Sequence, residues 1–228
     1  MDQTLTPLIA ASVTFVGTHF ALSHPLRGSL VKALGPMGFM AVYSVVALAS
    51  FGWMVLAFRA IGAGGSPLWD GSGAVMWALA SLLTLVALTL FLGAFRGNPA
   101  LPDPRAAALA EQPVHGVFHV TRHPMMWGFA LWALAHILVS PTPRSLVMVG
   151  SILFLALVGA HLQDRKKAAL MGASWASWES KTSYWPRWGQ LGKAGAVLWL
   201  VSLALWLALS WAHVALAYVP AGIWRWVG

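Results

Sequence analysis

Apolar residues run along this chain in long, nearly unbroken stretches, and polar residues collect in the short segments between them. The apolar stretches lie near residues 7–23, 37–59, 74–95, 125–140, 145–162 and 194–218. A helix needs about 20 residues to cross the hydrocarbon of a bilayer. The pattern therefore predicts an all-α polytopic membrane bundle of six transmembrane helices, in which the fourth is short and gains a turn at its cytoplasmic end. No soluble domain fits between the spans, so residues 1–228 read as a single transmembrane domain.

Two longer connections, residues 96–124 and 163–193, give the only room for structure outside the membrane. The first contains Asn98-Pro99-Ala100-Leu101-Pro102-Asp103-Pro104. Three prolines in such a short stretch forbid a helix and favour an extended path. Residues 105–112 then predict a short helix ending before Pro113. In the second connection, residues 165–179 are good helix formers, with Leu170, Met171, Ser174, Trp175 and Trp178 at helical spacing and Lys166 and Lys167 near the start. This predicts one amphipathic helix lying at the headgroup level. Tyr184, Trp185 and Trp188 extend the same aromatic belt.

Composition agrees with the pattern. The chain is 59% hydrophobic and only 9% charged, where a soluble domain carries roughly 25% charged residues. Absence of cysteine excludes disulfides, thiolate metal sites and a nucleophilic thiol. The net charge of +8 points to cytoplasmic loops and anionic lipid rather than nucleic acid. With six spans and the termini outside, eleven Lys and Arg residues fall on the cytoplasmic side and only Arg59, Arg144 and Arg225 on the other. That bias predicts both termini outside. The first residues lack a basic n-region and read as the start of a span rather than a removed signal peptide.

Candidate chemistry rests on histidine. No Walker loop, GxGxxG fingerprint, nucleophile elbow or HExxH occurs, and the six carboxylates all lie in or near loops. Paired-carboxylate catalysis within the membrane is therefore not expected. The eight histidines sort by depth. His19 lies about a turn from the cytoplasmic end of the first span, with His24 just beyond. His115, His119 and His123 precede the fourth span, and His161 lies at the cytoplasmic end of the fifth. His136 and His213 fall in the outer halves of the fourth and sixth spans. Neutral imidazole is a common ligand for iron and zinc, and two histidines from facing helices can hold a haem. His136 and His213 form one possible pair. No C-x-x-C-H is present, so covalent haem attachment is excluded.

The segment 119–136 reads H-V-T-R-H-P-M-M-W-G-F-A-L-W-A-L-A-H. Arg122 and His123 at a membrane face can grip a carboxylate, phosphate or haem propionate. Pro124 suits the first position of a helix. Small residues at Gly17, Gly52, Gly128, Gly150 and Gly159 permit close approach of helices.

Three blocks carry a family likeness. They are Thr18-His19 through Pro25-Leu26-Arg27, Thr121-Arg122-His123-Pro124 through Trp132-Ala133-Leu134-Ala135-His136, and Asp164-Arg165 followed by Lys181-Thr182-Ser183 before Pro186. On these residues the chain resembles the NnrU family of bacterial membrane proteins and, more distantly, the 15-cis-zeta-carotene isomerases. The resemblance implies the bacterial inner membrane, where the outside termini read from the charge bias are periplasmic, and a setting in denitrification and nitric-oxide metabolism. It also implies a b-type haem held by His19 and His136, with redox or isomerase-like chemistry and a lipid-accessible pocket for a hydrophobic small molecule. A cysteine that the isomerases use for ligand switching is Ala133 here, so that switch cannot operate.

Two other readings follow from the same residues. The Arg-His-Pro turn, a span, a hairpin return and a basic, Trp- and Tyr-rich stretch ending at Pro186 are similar to the isoprenylcysteine and phospholipid methyltransferases, which bind S-adenosylmethionine at the cytoplasmic face. The acidic residue that those enzymes place after the hairpin has a loose match in Gln163-Asp164. The scarcity of polar residues also accords with a non-enzymatic membrane factor for assembly of respiratory enzymes.

Overall fold

A computed structural model describes residues 5–62 and 65–227. Among these residues all regular structure is helical. In chain order the helices are α1 (Thr6–Ser23), α2 (Arg27–Ala60), α3 (Ala74–Gly93), α4 (Ala106–Glu111), α5 (Pro124–Val139), α6 (Pro143–Met171), α7 (Ala173–Lys181), α8 (Ala196–Ala217) and α9 (Trp224–Val227). Short 3-10 turns occupy Gly116–His119 and Trp188–Ala194. Five helices, α1, α2, α3, α6 and α8, are long and apolar enough to cross a membrane. The sixth expected span, α5, is apolar but only 16 residues long.

Backbone chemistry sets the boundaries. Gly35 adopts φ 71° and ψ 169° inside α2. That conformation interrupts the helix, and Pro36 opens the longer, apolar part, a first-turn position where proline costs no hydrogen bond. α6 continues well past residue 162, because nothing between Gln163 and Met171 breaks a helix. It stops at Gly172, whose φ of 54° favours glycine.

This break corrects the amphipathic helix expected over residues 165–179. The segment is divided between the end of α6 and the separate helix α7. Trp175 and Trp178 are fully buried, with α7 packed against α4 and the Phe118 ring 5.4 Å from that of Trp178. Of the expected apolar face, Trp175 and Trp178 meet protein, while Leu170 at the end of α6 stays 58% exposed.

The chain forms two compact units, one from residues up to 70 with 140–155, the other from 71–139 with 156 onwards. In the first, Leu8, Ala11 and Phe15 of α1 pack against Met54 and Ala57 of α2, flanked by Val147, Met148, Ile152 and Leu155 of α6.

In the second, α3 and α5 lie antiparallel along their length. Gly71, just before α3, touches the Leu138 and Val139 backbone at the end of α5, and Gly128 near its start sits against the Ala87 carbonyl. α8 packs on α3 as well, where the Trp206 indole N–H donates to the Thr84 hydroxyl at 2.9 Å. Of the five glycines noted in the sequence, Gly128 alone makes a close approach. The other four have nothing within 4 Å of a built Cβ.

A methyl group at position 128 would stand 2.8 Å from the Ala87 carbonyl oxygen. Gly128→Ala is therefore expected to cost about 1–3 kcal/mol through overpacking, read as a lower thermal midpoint in detergent. Gly150→Ala, in open space, is expected to leave the midpoint unchanged or slightly raised. Equal behaviour of the two variants would refute this account of the α3–α5 contact.

Candidate functional site

Two groups of side chains carry chemistry, both mostly within the second unit. The first is polar and is built around Arg122, His123 and Asp164. Residues 120–122 run beside residues 183–187, tied by the Arg122 N–H to the Ser183 carbonyl and the Arg187 N–H to the Val120 carbonyl, both at 2.8 Å. The Thr121 hydroxyl donates to the Tyr184 carbonyl at 2.8 Å and accepts from the His123 N–H at 3.2 Å. Trp127, one turn into α5, donates its indole N–H to the same Tyr184 carbonyl at 2.9 Å. These bonds fix the Arg-His-Pro turn before α5 begins.

Arg122 then reaches Asp164 on α6. Its Nε donates to Oδ1 at 3.0 Å and its Nη2 to Oδ2 at 2.6 Å. His123 lies fully buried with Nε2 at 2.8 Å from the same carboxylate, while its Nδ1 has no partner. Glu179 of α7 stands 3.4 Å from Arg122 Nη2. Both side chains of the Arg122–Asp164 pair are only 12% exposed, so the ions are largely dry and each depends on the other.

An open cleft of about 650 Å3 lies beside this network, lined by Arg122, His161, Asp164, Arg165, Ala168, Glu179, Tyr184 and Trp185. The Tyr184 hydroxyl donates to the Leu157 carbonyl at 2.9 Å. Burial, then the nearby Asp164 carboxylate, raises its pKa above the ordinary tyrosine value, which keeps it a donor.

The second group comprises His19, His136 and His213. Each stands about one turn before the C-terminal end of its helix, α1, α5 or α8. Each places Nδ1 against the carbonyl four residues earlier. The distances are 2.7 Å from His19 to Phe15, 2.8 Å from His136 to Trp132 and 2.9 Å from His213 to Leu209. A carbonyl only accepts, so Nδ1 carries a proton, and in the neutral ring Nε2 is the nitrogen that keeps its lone pair. His19 also packs against Phe15 and Tyr43, with ring centroids 4.4 and 5.5 Å away. Within the second unit the rings of His136 and His213 lie 6.4 Å apart, and Trp132 covers His136 at 4.2 Å. His136 is half-buried and His213 exposed.

Arg122 and His123, expected to grip an anion, are thus held by Asp164. The expected alternative partner of His136, His213, is the one found beside it. His115 and His119 remain at the turn before α5. Burial, then the charges of Arg96 and His119, lowers the pKa of His115. No group of three or more His, Asp or Glu side chains suited to a metal ion occurs among the described residues.

Glu179 is not singled out by the sequence, Tyr184 enters only as part of an aromatic belt, and Asp164 only in a block of family likeness and as a loose match to a methyltransferase acid. The available signal was one acidic side chain, Asp164, standing between an apolar span and the basic run Arg165-Lys166-Lys167.

Removing Asp164 would leave Arg122 and His123 without their shared anion. Asp164→Ala is expected to lose about 3 kcal/mol, measured by thermal or denaturant unfolding in detergent. The double variant Arg122→Gln/Asp164→Asn is expected to lose less than the two single changes summed. Simple additivity would show that the pair is not energetically coupled.

Comparison with known proteins adds one positive finding. No curated protein and no solved structure matches the chain. A family model described as NnrU protein matches residues 7–221. That match takes in all three blocks of likeness, the Arg-His-Pro turn and the three back-bonded histidines, and the chain belongs to the NnrU family.

Proposed function

We propose that this NnrU-family protein is a six-span protein of the bacterial inner membrane that binds b-type haem through two imidazoles, one of them His136. The observation that carries the reading is the common arrangement of His19, His136 and His213. Each is oriented by a hydrogen bond from Nδ1 to a backbone carbonyl, the second-sphere contact that metal-bound histidines usually make. The donor set fits an iron porphyrin, since neutral Nε2 is a common haem ligand.

The geometry favours His213 as the second ligand. The rings of His136 and His213 lie 6.4 Å apart, centroid to centroid, so these two side chains would hold the group. The family resemblance names His19, which carries the same carbonyl contact, although the six-span topology sets it toward the cytoplasmic end of α1 and His136 toward the outer end of α5. When bound, such a group supplies one-electron redox or isomerase-like chemistry. This chain's residues hold two imidazoles in one tautomer and present them from apolar helices. Family membership is the ground for a setting in denitrification and nitric-oxide metabolism.

Purified protein, expressed with ample haem supply, is expected to show a Soret band and a low-spin spectrum that sharpens with dithionite. His136→Ala is expected to abolish the low-spin signal. Loss of that signal in His213→Ala but not in His19→Ala assigns the pair to His136 and His213, and the reverse result assigns His19. A colourless protein under these conditions rejects the reading.

The sixth crossing is α5. It runs antiparallel beside α3 from near Phe91 back to Gly71, so it covers nearly the same depth as a 20-residue span. The loops also sort by side as the charge bias requires. Lys181 donates to the carbonyls of Ala110, Glu111 and Gln112 on the basic side, and Arg225 donates to Ser72 on the other. The native chain has no cysteine, so single cysteines report topology cleanly. Ser66→Cys is expected to react with an impermeant maleimide on intact cells with the outer membrane opened. Ala169→Cys is expected to react only after the inner membrane is permeabilised, and the opposite pattern would invert the topology.

A further inference from the structure

The cleft beside Arg122 is built from different residues than the imidazole group. Its charges divide into committed and uncommitted ones. Arg122 is held bidentately by Asp164 and approached by Glu179, so it adds little attraction for an outside anion. Arg165 and His161 line the same cleft one helical turn apart on α6, and among the described residues neither makes a hydrogen bond or an ion pair. Glu179 is the complementary case. One oxygen, Oε1, faces Arg122 at 3.4 Å, and the side chain is 37% exposed. The cleft thus offers one available cation, one partly available carboxylate and the ring of Trp185, the Tyr184 ring being taken up by the Arg122 guanidinium 5.7 Å from its centroid.

A simple anion would meet Glu179 as a like charge. A ligand with an anionic group and an ammonium group would satisfy both ends, with phosphate oxygens on Arg165 and His161 and the ammonium between Glu179 and the exposed Trp185 ring. The level of the cleft says where such a ligand comes from. The apolar part of α6 gives way to Asp164, Arg165, Lys166 and Lys167 here. Trp185 is 67% exposed and stands 5.5 Å, ring to ring, from Trp127. Tryptophan at the change from apolar to charged residues marks the headgroup layer.

We propose that this cleft is a binding site for the zwitterionic head group of a membrane phospholipid of the phosphoethanolamine class. Phosphate binds at Arg165 and His161, and the ammonium binds at Glu179.

The test is native mass spectrometry of the full chain, released from detergent after equilibration with equal amounts of phosphatidylethanolamine and phosphatidylglycerol of matched acyl chains. The wild type is expected to retain the ethanolamine lipid in about tenfold excess, the worth of roughly one extra charge pair. Glu179→Gln is expected to bring the ratio to about one, because the phosphate contacts remain. Arg165→Ala is expected to lose retention of both lipids, and Arg165→Lys to restore part of it. Lys193→Ala, away from the cleft, is expected to leave the ratio at its wild-type value, and matching helical circular dichroism shows that each variant is folded.

Equal or preferential retention of phosphatidylglycerol by the wild type would overturn the proposal, as would an unchanged ratio in Glu179→Gln. Soluble glycerophosphoethanolamine in hundredfold excess is expected to displace little lipid. Complete displacement would overturn the assignment to a lipid.

Discussion

Every polar atom in the apolar spans needs a partner within the protein, because hydrocarbon supplies none. This chain meets that constraint mainly inside single helices, while among the described residues the buried hydroxyls of Ser12, Ser81 and Ser202 are left without a partner. Thr14, Thr18, Ser50, Thr84 and Thr89 each donate a hydroxyl to the carbonyl four residues earlier. His19, His136 and His213 use the same device with Nδ1. Bonds between helices are fewer, and the Trp206–Thr84 contact is one of them. Packing between spans therefore falls to shape, as where Gly128 admits the Ala87 carbonyl.

The segments outside the spans follow a different economy. There the long connections are tied down by charged side chains that reach across the sequence. Lys167 donates to the carbonyls of Pro99 and Leu101, and Gln163 to that of Ala100. These contacts hold the proline-rich stretch that cannot form a helix of its own. Lys181 meets the last carbonyls of α4, which lack partners at a helix end. Asp164 joins the turn before α5 to α6 through Arg122 and His123. Basic residues of these connections thus also fold the loops.

Local features were legible in the sequence where their cause is local. The apolar stretch expected from residue 37 begins one residue after the break at Gly35 and Pro36, and the short helix before Pro113 falls within a residue of its expected bounds. The histidines were identifiable as ligand types for the same reason. Features that depend on distant partners were not. Trp175 and Trp178 at helical spacing define a face, but periodicity carries no information on whether lipid or α4 meets it. Asp164 gains its role from residues 41 and 42 positions earlier. Likewise the approach of His136 to His213 depends on α5 and α8 both packing on α3, which no local signal encodes.

Back-bonding also separates histidine from the hydroxyl residues that share it. A threonine that donates to the preceding turn has used its only proton, and its oxygen accepts readily from a neighbour such as Trp206. An imidazole that donates through Nδ1 still carries a basic lone pair on Nε2. Beside Trp132 and the apolar faces of α5 and α8, a basic nitrogen is costly unless a proton donor or a metal meets it. Two such nitrogens from adjacent helices cannot satisfy one another, since both are acceptors in this tautomer. A proton donor or an electron-pair acceptor would relieve either of them, and the proposed iron porphyrin would be one such acceptor.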